Sequence, residues 1–329
     1  MSPLMGELSA ASALSNNHDQ MPQIIVVGGT GYVGAALCNF LLERGHPVSA
    51  TSRSDRPIFE SPAIERARLD VTKLADTALL PQSTTAIICP WVTDPRGAES
   101  SWIGSLLERL AGSGTRSVIY FSSMWVYGNP VEGTLTESTS TSQEDPYGSA
   151  HLANEFVLTD CAQELGLDVS ILRMANLIGP DPFYRSRSKV PFTHELMEMA
   201  IRDKVVVLRS PPSTPRNLLT RTLLHHDLEA LLDRTTERGR VNTFNMGSGS
   251  TTTIVKLAGH VAQLVEGYDG SPVRVEHPGE PVAQPTFHLD TTRIRQLAGP
   301  GIDNLTAELE LVLRDIIRSH EPDTRTREP

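Results

Sequence analysis

The segment Gly28-Gly29-Thr30-Gly31-Tyr32-Val33-Gly34 follows directly on the aliphatic run Ile24-Ile25-Val26-Val27 and opens an amphipathic stretch. At such a strand–turn–helix junction, backbone N–H groups and the helix N-terminus can meet a pyrophosphate with no side chain in the way. Gly28, Gly31 and Gly34 give the clearance, and Thr30, Tyr32 and Val33 complete the loop, so these are the expected dinucleotide contacts. A tight structural turn is the alternative. The second apolar run ends at Thr51-Ser52-Arg53, where an NAD-preferring site usually places an acidic residue for the ribose 2′-hydroxyl. Arg53 can instead pair with a 2′-phosphate and Ser52 can donate to it, which favours NADP, with NAD as the other option. A solvated loop cation is the competing reading of Arg53. Asp70-Val71 closes the next run, where the carboxylate either accepts from the adenine amino group or caps a helix.

These residues need a scaffold, and the alternation of short aliphatic runs with helical patterns supplies a mostly parallel sheet built from βαβ units. Strands are expected at Ile24–Val27, Val48–Thr51, Ala86–Cys89, Ser117–Phe121 and Val169–Arg173, and helices at Tyr32–Arg44, Ser100–Ala111 and Tyr147–Leu165. The fold class is α/β, a Rossmann-type doubly wound parallel sheet with a smaller C-terminal substrate lobe. The expected division is a leader at 1–20, a dinucleotide-binding domain at 21–178, a mainly substrate-binding lobe at 179–320 and a polar tail at 321–329. A segment near 241–245 can return to the sheet. The leader and the tail are both too polar to build a core and are read as disordered.

Composition narrows the function. The 329 residues carry 29 Lys and Arg against 39 Asp and Glu, a formal charge of −10, which offers no general attraction to nucleic acid or to an anionic membrane. No apolar run approaches the roughly 20 residues needed to span a bilayer. Cys38, Cys89 and Cys161 are widely spaced, as in a reduced cytoplasmic protein, and no Cys/His pair has metal-chelating spacing. From Arg185 to Arg221 basic residues outnumber acidic ones, which suits a phosphate-bearing small-molecule substrate or a set of solvated loop cations.

Four segments in order carry a more specific signal: Gly28 to Gly34, then Phe121-Ser122-Ser123-Met124-Trp125-Val126-Tyr127-Gly128, then Pro146-Tyr147-Gly148-Ser149-Ala150-His151, then Arg173-Met174-Ala175-Asn176-Leu177-Ile178-Gly179-Pro180. Together they resemble the extended short-chain dehydrogenase/reductase family, its nucleotide-sugar epimerase, dehydratase and ketoreductase members above all. The similarity covers about residues 22 to 300. It implies hydride transfer between a nicotinamide and a carbinol or ketone carbon, possible substrates including a nucleotide-linked sugar, and a homodimer. In that family a Ser or Thr polarises the reacting oxygen, a Tyr exchanges the proton, and a Lys one helical turn later binds the nicotinamide ribose and lowers the Tyr pKa. Ser123 and Tyr147 take the first two positions by motif, and His151 stands where the Lys would be.

His151 can face the same neighbourhood as Tyr147, since residues four apart share one helix face. An imidazole titrating near ~6.5 rather than ~10.4 cannot supply the same field. Three readings stay open: a protonated substitute for the Lys, a site that uses Tyr147 differently, or a protein that binds cofactor without turnover and acts as an NADP-binding sensor or scaffold. By the same resemblance Trp91 and Trp125 can line the pocket, Asn176 can contact substrate, and Arg221 matches a phosphate-holding position. Trp125 can equally fill core, and Asn176 can satisfy buried backbone groups.

Overall fold

The computed structural model describes residues 21–53, 61–74, 80–89, 101–128, 132–181, 183–187, 189–279 and 286–320. The expected leader and tail, and Trp91, lie outside the described residues.

Seven strands form the main sheet: β1 (Ile24–Val27), β2 (Val48–Ser52), β3 (Ile64–Arg68), β4 (Thr85–Ile88), β5 (Ser117–Ser123), β7 (Asp168–Met174) and β11 (Val241–Met246), with β6 (Gly133–Leu135), β8 (Asn176–Ile178), β9 (Val205–Val207) and β10 (Pro215–Thr220) interleaved in the chain. Its order is β11-β7-β5-β4-β1-β2-β3, so the chain winds outward from β1 in both directions. β1 pairs in parallel with β2 and with β4, making the carboxyl ends of these strands the topological switch point where α/β sheets bind ligands. β1 and β4 are buried along their whole length, as central parallel strands must be when helices cover both faces. β3, reading IERAR, buries only Ile64 fully and is the edge.

Two compact units divide the chain. The first holds the described residues up to Ser122, then Ser149–Leu172 and Thr235–Thr243. Its core joins Ile25, Ile88, Leu106, Tyr120 and Leu158 from the sheet, α2 (Ser101–Gly112) and α3 (Pro146–Leu165), while α1 (Tyr32–Glu43) buries Leu37 and Leu41.

The second unit holds Ser123–Gly148, Arg173–Arg234 and the described residues from Phe244 onward. It contains α4 (Phe192–Arg202), α5 (Arg221–Leu232), α6 (Ile254–Asp269), α7 (Thr292–Ala298) and α8 (Leu305–His320). Three small sheets complete it: β10 between β8 and β12 (Thr251–Thr253), β9 with β13 (Arg274–Glu276), and β6 with β14 (Phe287–Leu289). α6 shows why its sequence is helical. Thr253 Oγ1 accepts from the Lys256 N–H at 3.4 Å, Gly270 closes the end at φ 74°, and Ile254, Leu257, Ala258, Val261, Ala262 and Val265 form one buried stripe. That stripe packs against α4.

One glycine of the β1–α1 turn tests this packing. A Cβ on Gly34 would collide with the Gly28 carbonyl and come within 2.8 Å of the Gly29 Cα, both backbone atoms that cannot swing aside. Gly34→Ala is expected to lower stability by about 1–3 kcal/mol through overpacking and to weaken dinucleotide binding. Melting temperature with and without NAD(P)H would read both.

Candidate functional site

In the first unit the β1–α1 turn is a backbone cradle. Gly28 has φ 79°, a conformation that favours glycine, and its N–H donates to the buried Thr51 Oγ1 at 3.1 Å. A Cβ there would lie 2.6 Å from the Cys89 carbonyl oxygen, so β4 ends hard against the turn. Gly31 is the N-cap of α1, and no side chain caps the helix start there. A helix N-terminus with no side-chain cap beside a glycine turn fits an anionic pyrophosphate. Thr30, Tyr32 and Val33 line the same turn and are partly exposed. Ser52 closes β2 and is partly exposed, and Arg53 is exposed immediately after it. Asp70 follows β3, and its carbonyl accepts from the Lys73 N–H at 2.9 Å across a short 3-10 turn that starts at Val71. Burial pushes the Cys38 thiol up to about 12 and the Cys89 thiol well above its ordinary range, so both are unreactive thiols beside the cradle.

In the second unit Ser123 ends β5 with its side chain almost buried, and its Oγ accepts from the Trp125 N–H at 3.3 Å. The hydroxyl keeps its own proton for donation. Gly148, the second residue after the α3 start at Pro146, presses on this turn. A Cβ at 148 would come within 2.5 Å of the Trp125 carbonyl carbon, so only glycine lets the first turn of α3 touch the segment that follows Ser123. Asp145 Oδ1 caps that helix turn by accepting from the Gly148 N–H at 2.7 Å. The contact sets Tyr147 beside the Ser123–Trp125 turn. Burial raises the pKa of the Tyr147 phenol and the Asp145 carboxylate raises it further, although the residue as a whole exposes 37% of its surface. Exposure of the ring and desolvation of the hydroxyl are compatible, and the direction for the hydroxyl follows its own surroundings.

His151 lies one turn further along α3, in the part of the helix that belongs to the first unit. It is 1% exposed, its Nδ1 is 3.0 Å from the Tyr120 hydroxyl, and burial lowers its pKa to about 4. A charged imidazole at neutral pH is therefore not what this environment holds. One turn later, buried Glu155 accepts from Ser122 Oγ at 2.5 Å. Tyr120, Asn154 and Glu155 were not among the expected site residues. The spacing 147, 151, 155 on one helix face was the signal that could have found the last of them.

The other expected contacts fall in the second unit. Trp125 is partly exposed. Asn176 is committed to the backbone, its Nδ2 donating to the Asn217 carbonyl at 3.0 Å. Arg221 opens α5, donates to the Pro180 carbonyl at 3.2 Å, and has buried Glu308 3.9 Å from its Nε. Much of the basic concentration is paired internally: Arg187 with Asp181, Arg202 with Asp203, Lys204 with Asp269 and Arg209 with Glu195. Arg216 differs. It sits on β10, partly buried, donates only to the adjacent Pro215 carbonyl at 2.9 Å, and among the described residues no carboxylate pairs with it. Burial lowers its pKa, which marks a cation short of an anion.

Comparison with known proteins bears on this arrangement. The NAD dependent epimerase/dehydratase family matches residues 24–209. The chain belongs to that family. It is thus an NAD(P)-dependent enzyme of the short-chain dehydrogenase/reductase type, an oxidoreductase or epimerase, and its family cofactor is NAD. A UDP-glucose 4-epimerase of Halalkalibacterium halodurans is 26% identical over 74% of this chain and 80% of its own. A dTDP-4-dehydro-6-deoxy-D-allose reductase of Streptomyces bikiniensis is 24% identical over 83% of this chain and 90% of its own. The UDP-glucose 4-epimerase of Thermotoga maritima, solved with UDP-glucose, superposes with a TM-score of 0.72 at 21% identity, covering 91% of this chain and 100% of that one. MoeE5, solved with UDP-glucuronic acid and NAD, gives 0.73 at 20% identity over 90% and 99%. These two similarities concern the fold. Among the described residues no helix is long and apolar enough to cross a membrane.

His151 and His194, each lowered to about 4 by burial, give a measurable acid response. An unfolded His gains its proton near ~6.5 while the folded one does not, so stability is full above that pH and falls as pH drops from ~6.5 towards 4. Melting temperature is expected to decline over that window, and His151→Asn to flatten the decline.

Proposed function

We propose that this enzyme is a reductase of a keto group in a nucleotide-linked sugar, with NADP(H) as the preferred cofactor. The bound dinucleotide would supply hydride to the carbonyl carbon. Tyr147 donates its hydroxyl proton to the carbonyl oxygen, leaving a phenolate that recovers a proton from solvent, and Ser123 donates a hydrogen bond to the developing oxyanion. The observation that carries the reading is the state of Tyr147: burial and Asp145 both favour the protonated phenol, the form that can give a proton to a carbonyl oxygen. Oxidation of an alcohol needs the phenolate, and that form is scarce at neutral pH. Arg53, directly after Ser52 at the end of β2, supports a 2′-phosphate. The backbone cradle of Gly28, Thr30, Gly31, Tyr32, Val33 and Gly34 would hold the pyrophosphate, and Asp70 and Val71 the adenine side.

For the substrate's diphosphate, Arg216 is a better candidate than Arg221, because Arg221 already meets the Pro180 carbonyl and the Glu308 carboxylate. Trp125 contributes an aromatic surface next to Ser123, and by motif position Trp91 would stand near the nicotinamide. The three free thiols fit a reducing, cytoplasmic setting, and Phe156, 56% exposed on α3, offers an apolar contact for a homodimer. A freely reversible epimerase is the second reading, favoured by the 4-epimerases among the relatives.

NADPH consumption with a panel of keto nucleotide sugars and simple ketones tests the proposal. Tyr147→Phe is expected to cut kcat by about 100-fold or more. Binding without any Tyr147-dependent turnover would instead indicate a cofactor-binding sensor or scaffold. Reduction is expected to be flat through neutral pH, while alcohol oxidation rises about tenfold per pH unit up to the Tyr147 pKa. Arg216→Ala is expected to raise KM for a nucleotide sugar by roughly 10- to 100-fold, the loss of a charge-assisted contact, with a smaller effect from Arg221→Ala.

A further inference from the structure

Asn217 is fully buried on β10, directly after Arg216, and its side-chain amide is held by the 247–250 turn and the start of β12. Oδ1 accepts from the Ser248 N–H at 3.1 Å, while Nδ2 donates to the Ser248 carbonyl at 3.1 Å, the Ser250 carbonyl at 3.2 Å and Thr251 Oγ1 at 3.4 Å. An N–H on one side and two carbonyls on the other fix which way the amide lies, and an aspartate would set a carboxylate oxygen against both carbonyls. The turn is shaped to the amide as well. A Cβ on Gly247 would come to 2.3 Å from Asn217 Oδ1. Ser248 Oγ braces the turn from within, accepting from the Ser250 N–H at 3.1 Å and donating to the Ser250 carbonyl at 2.7 Å. The backbone ladder agrees, with Asn217 opposite Thr251 and Arg216 opposite Thr252 in antiparallel β10 and β12. Successive strand residues face opposite sides of a sheet, so Arg216 stands on the other face, that of Leu218 in the core of the second unit. A slip of one residue would exchange the two faces.

We propose that Asn217 is a positioning residue for substrate binding: by locking β10 to the 247–250 turn it fixes the register and reach of Arg216, so that the guanidinium is already in place for the diphosphate of a nucleotide-linked sugar. The inference rests on the reading of Arg216 as the diphosphate contact and extends it to the residue that holds it there. Among the described residues the hydrogen bond of Arg216 is to the adjacent Pro215 carbonyl at 2.9 Å, so the strand itself decides where the guanidinium goes. A binding group that is ordered before the ligand arrives loses less freedom when it binds. An uncharged amide achieves this without setting a carboxylate beside Arg216, which leaves the cation for an external anion.

Isothermal titration of the full-length protein with UDP and with dTDP tests this without turnover, the melting transition serving as the control for folding and NADPH affinity as the control for the first unit. Asn217→Ala is expected to weaken the tighter of the two nucleoside diphosphates about 10-fold and to leave NADPH affinity within about twofold. Arg216→Ala is expected to lose about 10- to 100-fold. In that background Asn217→Ala should cost nothing further, since the amide acts through the guanidinium. Unchanged nucleoside diphosphate affinity in Asn217→Ala would overturn the proposal, and so would a loss of equal size with and without Arg216. If Asn217→Ala does not fold, Ser248→Ala, which removes the hydroxyl bracing the turn, carries the same comparison with an expected loss of about 3-fold, and wild-type affinity there is the overturning result. Arg216→Ala binding as wild type does, or a wild type that binds neither nucleotide, would sink the reading of Arg216 itself. A loss in Arg216→Ala with none in Asn217→Ala sinks this inference alone.

Discussion

The first turn of α3 touches the turn after β5 through bare backbone, and the proposed proton transfer depends on that contact. Gly148 has no side chain because the Trp125 carbonyl occupies the space one would need. Asp145 fastens the same helix turn from the other side by accepting from the Gly148 N–H. Ser123, whose hydroxyl caps the turn at Trp125, and Tyr147, which precedes Gly148, belong to the two segments that this backbone contact joins. A larger residue at 148 would push the helix start away from the turn after β5.

The same fastening has an electrostatic side. The carboxylate that caps α3 sits close enough to Tyr147 to raise its pKa, adding to the effect of burial. On the next turn of the helix the residue that the family motif would make a cation is a buried imidazole hydrogen-bonded to Tyr120. An uncharged tyrosine is a proton donor first and a base only at high pH.

Much of the first unit was legible in the sequence because its signals are local. β1 and its glycine turn, α1 and the strand at Ser117 all follow from short-range pattern: β1 has the expected bounds, and the C-terminal ends of α1 and the Ser117 strand differ by one and two residues. β3 was not legible: IERAR has one fully buried residue and makes sense only as the edge partner of β2. The small sheets of the second unit were hidden for a similar reason, since three-residue strands such as β6 and β14 pair across long stretches of chain. At the site, motif position pointed to Ser123, Tyr147 and His151, but not to the environment of His151, which is set by Tyr120 thirty-one residues upstream. Charge counting over Arg185–Arg221 likewise could not say which cations are already paired. Arg216 stands apart only once Asp181, Asp203, Asp269 and Glu195 are seen to occupy its neighbours in sequence.

The central claim is that hydride reaches a substrate carbonyl while Tyr147 supplies the proton. Incubation with NADPH deuterated at the transferring position of the nicotinamide, followed by mass spectrometry of the sugar, tests it most directly. One deuterium on the former carbonyl carbon of a keto nucleotide sugar, with oxidised cofactor formed in equal amount, is the predicted result. A sugar recovered without deuterium and a cofactor left fully reduced, under conditions where the dinucleotide is bound, would contradict it.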